Sequence, residues 1–477
     1  MLFNSYAFLL VFLPVVLAGY FACGRLGNRA AVLWLMLASL AFYAVGQFRF
    51  VFLLLASIAF NYLVGLLLIS GRLRHRGRLA ALAAGISGDL LALAYFKYAG
   101  FFAANINDVF GTQLVASVVL PVGISFYTFT QIAFLVDAYR GNVGRYGLPH
   151  YALFVTYFPH LIAGPILHHK DMIPQFERNE ASRVDPHLIL SGLAIFAIGL
   201  FKKTALADGI QPLVTVAFGP VPPSFDQAWI GALAYTFQLY FDFSGYSDMA
   251  IGLSLMFGIF LPINFNSPYQ ATSIVDFWRR WHMTLSRFLR DYLYIPLGGN
   301  RHGRVLRYTN LLLTMLLGGL WHGAAWTFVV WGALHGLYLC INHAWNYFGP
   351  SLPRRAAPFG QFAGRALTFG AVVIAWVFFR ADSVPSALSI VSQMADPRHI
   401  VLGRGEIMNL AFLLLYAGIT WFAPNTQALM GYDHDNRRVG GVATLLERGF
   451  FPYAVAAVLG FGVLSIQQHS EFIYFRF

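Results

Sequence analysis

The most informative residue in this sequence is His322, because it lies inside an apolar run long enough to cross a membrane. The run, Leu313–Gly336, reads LTMLLGGLWHGAAWTFVVWGALHG. Hydrocarbon is a poor environment for an ionisable ring, so a histidine at that depth is expected to have a function. An imidazole titrates near neutral pH, which suits it to general base chemistry. The flanking Gly318, Gly319 and Gly323 are expected to loosen the helix and to allow close backbone approach.

A second histidine, His282, lies upstream in an aromatic and basic segment. This segment, Asp276–Tyr292, reads DFWRRWHMTLSRFLRDY. Its apolar residues recur at helical spacing, which predicts one amphipathic helix along the cytoplasmic interface. On such a helix His282 would share a side with Arg279 and Ser286. Two histidines held in the membrane suggest an enzyme that handles protons there.

Each of these features also has a structural interpretation. The arginines of the second segment would either attract the phosphates of an anionic acyl donor or anchor the helix to lipid phosphates; they are Arg279, Arg280, Arg287 and Arg290. His322 would, in the structural alternative, be a ring satisfied by a packed neighbour. His335 is interpreted as structural, because its position is about 220° around an ideal helix from His322. The two should not share a face unless the helix is broken.

A polar stripe interrupts a third apolar segment, Tyr235–Gly252, which reads YTFQLYFDFSGYSDMAIG. Gln238 and Asp242 recur on one face of the predicted helix. An isolated aspartate costs roughly 2.5–3.5 kcal/mol at mid-bilayer. The stripe is therefore expected either to face a water-filled cavity, to which Ser286 and Trp321 would also contribute, or to join helices as a buried polar knot.

The elements that position these residues are predicted to be membrane helices. Of the 477 residues, 58% are hydrophobic and only 11% are charged, which is typical of an integral membrane protein. A spanning helix needs roughly 20 apolar residues, and runs near that length predict about 11 to 13 membrane helices, with further re-entrant and interfacial helices. We expect a single all-α domain over residues 1–477, with the core motifs in 121–345.

The basic residues predict the orientation of the chain. Four arginines in the segment Arg72–Arg78 mark a cytoplasmic loop, so the turn near Gly46–Phe48 and the N-terminus are expected outside, in the periplasm. This concentration of basic residues in loops explains much of the net charge of +12, so the charge does not indicate that the protein binds nucleic acid. The first apolar segment is interpreted as an uncleaved helix. Cys23 and Cys340 have no metal-ligand spacing, no metal site is predicted, and no nucleophile elbow, HExxH or Walker A motif occurs.

Several motifs together resemble the membrane-bound O-acyltransferase (MBOAT) family, in its branch of bacterial polysaccharide O-acetyltransferases and nearest to those that modify alginate. The motifs are PVGISFYTFTQIAFLVDAYRG, FPHLIAGPI, YFDFSGYSDMAIG, LPINFNSPY, DFWRRWHMTLSRFLRDYLYIPLGGNR and GGLWHGAAWTFVVWGALHG. The similarity extends from MLFNSYAFLLVFLPVVLAGY at the start to FIYFRF at the end. One departure is His160, where members of the family usually carry glutamine.

The resemblance implies a fold, a reaction and partners. The fold would be a ring of tilted helices around a central funnel. His322 would match the family's catalytic histidine, and His282 the second polar position of its active site. The donor would be cytoplasmic acetyl-CoA, used as a substrate with no bound cofactor. The protein would lie in the bacterial inner membrane. A periplasmic acetyltransferase and other polysaccharide-modification proteins would complete transfer to an exopolysaccharide, with alginate as the expected acceptor.

Alternatives remain open from the residues alone. The same chemistry would serve cellulose, peptidoglycan or a teichoic acid, since nothing in the chain reads a sugar. A different class would be a glycan transporter or flippase, or a scaffold for a synthase complex whose polar residues are structural knots.

Overall fold

The protein is almost entirely helical. The computed structural model describes residues 1–115, 118–162, 164–178, 183–348, 357–401, 403–440, 449, 451–467 and 472–473. Within these ranges the strands are two dipeptides, β1 (Tyr432–Asp433) and β2 (Arg438–Val439), paired antiparallel with Tyr432 opposite Val439. The predicted all-α class is confirmed. Of the FIYFRF motif, only Phe472 and Ile473 are among the described residues.

The described helices run as follows. They are α1 (Leu13–Gly24), α2 (Asn28–Ile69), α3 (His75–Leu93), α4 (Ala99–Phe110), α5 (Ile124–Arg140), α6 (Leu148–Thr156), α7 (Phe158–Leu161), α8 (His169–Phe176), α9 (Pro186–Phe201), α10 (Gln211–Ala217), α11 (Phe225–Met256), α12 (Ile274–Arg280), α13 (Met283–Leu289), α14 (Arg304–His322), α15 (Trp326–Phe348), α16 (Ala357–Arg380), α17 (Val384–Ala395), α18 (Arg404–Phe422), α19 (Thr426–Met430) and α20 (Phe451–Leu464). Turns of π-helix occupy Phe8–Phe12, Ala94–Tyr98, Lys202–Ala207 and Arg290–Tyr294, and 3₁₀ turns occupy Pro268–Gln270 and Pro397–His399.

Five helices of the described part are long and apolar enough to cross a membrane. They are Asn28–Ile69, His75–Phe110, Pro186–Ala207, Phe359–Arg380 and Arg404–Phe422. Shorter apolar helices cover Phe8–Gly24 and Pro452–Leu464. In α2, Gln47 leaves helical geometry (φ −145°, ψ 38°), so the helix is kinked at the predicted turn near Gly46–Phe48.

The described residues form two compact units. Unit 1 comprises Met1–Leu200, Tyr246–Ile263 and Met430–Ile466, whereas unit 2 comprises Phe201–Gly245, Asn264–Leu429 and Gln467–Phe477. All the candidate site residues named from the sequence lie in unit 2.

In unit 1, a buried polar cluster joins α2, α3 and α5. Asn61 donates a hydrogen bond to Asp89 (2.7 Å) and a second one to the side-chain oxygen of Gln131. Asn61 and Gln131 are fully buried and Asp89 nearly so. Hydrogen bonds between helices stabilise such polar side chains inside a membrane protein.

In unit 2, α14 and α15 form a tightly packed antiparallel pair. A Cβ at Gly319 would lie 2.3 Å from the carbonyl oxygen of Phe328, and one at Gly332 would lie 2.4 Å from that of Met315. Only glycine permits contacts of this kind. The predicted close backbone approach around His322 is confirmed, with Gly332 as a second contributor.

Candidate active site

His282 lies at a break between two short helices. α12 ends at Arg280, α13 begins at Met283, and His282 itself adopts the left-handed conformation, φ 42° and ψ 54°. Pairing with an upstream segment accompanies the break: the Asn266 amide donates to the Arg280 carbonyl (2.9 Å) and the Met283 amide to the Asn264 carbonyl (3.0 Å). These bonds replace the helical ones that a continuous helix would make at this point.

The prediction of one continuous helix over Asp276–Tyr292 is therefore wrong, and so is the shared side that it gave His282, Arg279 and Ser286. The apolar spacing is satisfied by each short helix separately, so periodicity could not reveal the break. Its consequence is burial: His282 is 0% exposed, whereas Arg279 is exposed.

Asn264 fixes the tautomer of His282. The side-chain oxygen of Asn264 accepts hydrogen bonds from the Thr284 amide (3.3 Å) and hydroxyl (2.9 Å), and lies 3.1 Å from His282 Nδ1. A backbone N–H can only donate, so the Asn264 atom that it meets is the oxygen. His282 Nδ1 must then carry the hydrogen, which leaves Nε2 as the basic nitrogen.

Burial keeps the His282 ring neutral. Loss of contact with water disfavours a charged imidazole and lowers the pKa of His282 from 6.5 to about 3. The ring also packs edge-to-face on Phe243, with 4.8 Å between centroids. At physiological pH His282 is therefore a neutral, oriented ring that can accept a hydrogen bond at Nε2.

His322 is the last residue of α14. The chain becomes extended at Gly323 (φ −163°, ψ 153°), and α15 begins at Trp326. The break thus follows His322, while Gly318 and Gly319 remain helical, so the expectation that these two glycines loosen the helix is wrong. His322 is 4% exposed.

One indole, that of Trp321, contacts both histidines. The Trp321 ring lies 5.0 Å from that of His322 and 6.4 Å from that of His282. On its other sides His322 packs edge-to-face against Trp331 (5.0 Å) and Phe379 (5.3 Å). The structure therefore brings together the two imidazoles that the sequence singled out, in an aromatic setting that excludes bulk water.

The four arginines occupy different environments. Arg280 pairs with Asp276 (2.9 Å), and Arg290 pairs with Asp291 (2.6 Å), so two of them have acidic neighbours. Arg279 is exposed on α12, and Arg287 is half-buried on α13. Ser286, also half-buried, donates a hydrogen bond to the Trp281 carbonyl (3.4 Å).

Asp242 belongs to a buried ion cluster that sequence reasoning missed. Lys203 Nζ lies 2.7 Å from Asp242 and 2.8 Å from Asp208, and the side chains are 2%, 0% and 7% exposed respectively. The second oxygen of Asp242 accepts from the Ile473 amide (3.1 Å). This arrangement favours the polar-knot alternative for Asp242, while the nearby Gln238 is also buried. The feature of the sequence that could have indicated this cluster is Lys203, a charged residue at the end of an apolar run.

His335 lies closer to His322 than one continuous helix would allow. Because α14 ends at His322, the angular argument does not apply, and both histidines pack against the same ring, Trp331 (5.0 and 4.8 Å). Among the residues with described positions, no three metal-binding side chains are grouped to hold an ion.

The comparisons with known proteins identify the family. The model of the membrane-bound O-acyltransferase family matches residues 34–379, most of the chain. The chain belongs to this family. MBOAT proteins are multi-pass membrane proteins, and this chain is an O-acyltransferase.

Individual relatives cover most of the chain. The peptidoglycan O-acetyltransferase of Helicobacter pylori is 44% identical over 83% of this chain and 80% of its own length. The probable alginate O-acetylase AlgI of Pseudomonas aeruginosa is 45% identical over 83% of this chain and 75% of its own length. That of Azotobacter vinelandii is 39% identical over the full length of both chains. The resemblance noted from the motifs is confirmed.

Proposed function

We propose that this MBOAT protein passes acetyl groups from cytoplasmic acetyl-CoA across the bacterial inner membrane for O-acetylation of an exopolysaccharide, with alginate as the final acceptor. The observation that carries this proposal is the pair of buried imidazoles, His282 and His322, which both contact the ring of Trp321. Each imidazole lies at a backbone break: His282 lies between α12 and α13, and His322 lies at the C-terminal end of α14.

The chemistry of the proposal is acyl transfer with His322 as general base. His322 takes the proton from an acceptor hydroxyl as the hydroxyl oxygen attacks the thioester carbonyl. A new C–O bond forms, the C–S bond breaks, and His322 returns the proton to the departing thiolate sulfur. His322 is the last residue of α14, and the backbone that follows it is extended rather than helical.

The geometry supports an orienting role for His282 rather than a charge-stabilising one. With Nδ1–H committed to Asn264, the neutral ring offers only a lone pair at Nε2. A lone pair can accept a hydrogen bond from a substrate hydroxyl or from the other imidazole, but it cannot stabilise a developing oxyanion. Removal of His282 is therefore expected to misplace the reacting groups.

The donor is proposed to be recognised by basic side chains near α12 and α13. Arg279 is the strongest of the four candidates, because it is exposed, whereas Arg280 and Arg290 each have a carboxylate within 3 Å. In this proposal acetyl-CoA enters as a substrate. A periplasmic acetyltransferase is the proposed partner that completes delivery.

Peptidoglycan is the second candidate acceptor. The alginate assignment is supported by the AlgI relatives, and the peptidoglycan assignment by the Helicobacter pylori relative at almost the same identity. The two predict different products, because ester-linked acetate would appear either in secreted polysaccharide or in the cell wall.

The experiment is to measure ester-linked acetate in both polymers from cells that carry His322→Ala or wild-type protein. We expect the variant to lose acetylation at normal protein abundance and normal polymer export. His399→Ala is the matched control, because His399 is an exposed histidine distant in sequence. Persistent acetylation in His322→Ala cells would overturn the catalytic assignment. Altered export with acetyl transfer intact would instead favour a transporter.

A further inference from the structure

His335 is the centre of an aromatic box in unit 2. The imidazole is 0% exposed on α15. Its ring lies 4.8 Å from Trp331, 5.1 Å from Trp278, 5.8 Å from Tyr338, 6.0 Å from Trp376 and 6.1 Å from Phe277, with the first three pairs edge-to-face. We call this set of five rings around His335 the His335 box.

The two nitrogens of His335 have no hydrogen-bond partner among the residues that the structure describes. A buried polar group that is left without a hydrogen bond is destabilising. The aromatic faces offset part of this cost, because an N–H edge is attracted to the negative face of a ring. An edge-to-face contact also restricts the angle between two rings, so His335 limits the orientations open to Trp278 and Trp331.

The His335 box contacts the elements that carry both proposed catalytic histidines. Trp331 packs directly on the His322 ring at 5.0 Å with an angle of 86°. Trp278 lies on α12, four residues before His282 at the break that follows this helix. Trp278 and Trp331 also contact one another, with 5.9 Å between centroids. One imidazole thus lies between the packing partner of His322 and the helix that leads to His282.

We propose that His335 is a positioning residue that acts through Trp331 to hold the His322 ring in its reactive orientation, with Trp278 as its second support. The inference rests on the proposed catalytic function of His322. His335 touches neither donor nor acceptor in this proposal, and its nitrogens transfer no proton. Its role depends on the edge of a small, flat ring that packs between the indoles of Trp278 and Trp331.

The expected effect is large, because small displacements at a reacting group are costly. A misplacement of about 1 Å reduces a rate on the order of a hundredfold. Truncation of His335 leaves room for Trp331 to move, so His335→Ala should lose on the order of a hundredfold in acetylation rate per protein molecule. His335→Phe restores a ring edge at the price of some crowding, and should recover at least about tenfold over alanine.

The experiment compares initial rates of ester-acetyl accumulation in cells, normalised to membrane protein, for wild type, His335→Ala and His335→Phe. If the alanine variant does not accumulate, His335→Leu replaces it, since leucine fills similar volume without a ring. His343→Ala is the control on the same helix, and we expect it to be active. Equal inactivity of the alanine and phenylalanine variants would overturn the proposal and assign chemistry to the nitrogens.

A cycle of mild variants tests whether His335 acts through Trp331. We expect the double variant Trp331→Phe with His335→Phe to be no slower than the slower single variant, because both disturb one contact. If the fold-losses in rate of the two single variants multiply in the double variant, the two residues act independently and the proposal is contradicted. His322→Ala separates the two hypotheses: if it is inactive while His335→Ala is fully active, the inference fails and the proposed function stands. If His322→Ala is active, the proposed function fails.

Discussion

Removal of the Lys203 charge should destabilise the protein more than removal of either carboxylate with which it pairs. Lys203 lies 2.7 Å from Asp242 and 2.8 Å from Asp208, and all three side chains are at least nine-tenths buried. The substitution Lys203→Met keeps a chain of similar length and leaves two carboxylates without their cation. In contrast, Asp242→Asn keeps an acceptor for the Ile473 amide and leaves the pair with Asp208 intact.

The expected magnitudes differ enough to measure. Breaking a buried ion pair by removal of one partner costs about 3–5 kcal/mol, since a desolvated charge is left behind. Loss of one hydrogen bond to a charged group costs about 1.5–3 kcal/mol, which is the range expected for Asp242→Asn. At roughly 2 °C per kcal/mol for a large chain, Lys203→Met should lower the unfolding temperature by about 6–10 °C.

The assay is thermal unfolding of purified protein in one detergent, and the measured signal is the fraction of protein that remains monodisperse after heating. Lys202→Met is the control, because the neighbouring lysine is only partly buried and should shift the midpoint far less. An unfolding temperature for Lys203→Met equal to that of wild type would refute the reasoning. A larger shift for Asp242→Asn than for Lys203→Met would refute it as well.

Three further predictions concern the backbone and the site. Asn264→Ala should reduce acetylation at least tenfold at normal abundance, because His282 loses the acceptor that orients it, whereas Asn264→Asp, which keeps an acceptor, should reduce it less; acetate release from polymer measures both. Gly332→Val should abolish accumulation of folded protein, since its Cβ would meet the Met315 carbonyl at 2.4 Å, and immunoblots of membranes should show Gly370→Val, which meets nothing within 4 Å, at normal levels. The folded pKa of His282, about 3, lies below its unfolded value of 6.5, so the unfolded chain binds the extra proton between these values and stability falls as pH drops through that window. Unfolding temperatures at pH 7 and pH 5 should therefore differ more for wild type than for His282→Gln, and an equal difference would contradict the lowered pKa.

The sequence singled out His282 and His322, because ionisable rings in hydrophobic segments are rare, and the structure places both rings against Trp321. Helical periodicity also predicted helical segments, which the structure shows at His322 and on both sides of His282. It could not predict where those segments break. The turn at His282 depends on pairing with Asn264 and Asn266, which are distant in sequence, and local spacing carries no information about such partners.

The ion cluster and the His335 box could not be predicted from the sequence for the same reason. Lys203 and Asp242 belong to different helices, and their pairing is a tertiary contact. His335 was set aside by an angular argument that holds only for an unbroken helix. The chain ends α14 at His322 itself, and the antiparallel return of α15 then brings Trp331 and His335 back beside the histidine.

The left-handed backbone at His282 has a consequence for how substitutions at this position are interpreted. Asparagine and glycine adopt such angles readily, whereas β-branched residues do so at considerable cost. In a saturation library, His282→Asn and His282→Gly should accumulate as intact but inactive protein, while His282→Val and His282→Ile should be depleted from the membrane. Position 282 would thus report catalysis through one group of alleles and backbone tolerance through another.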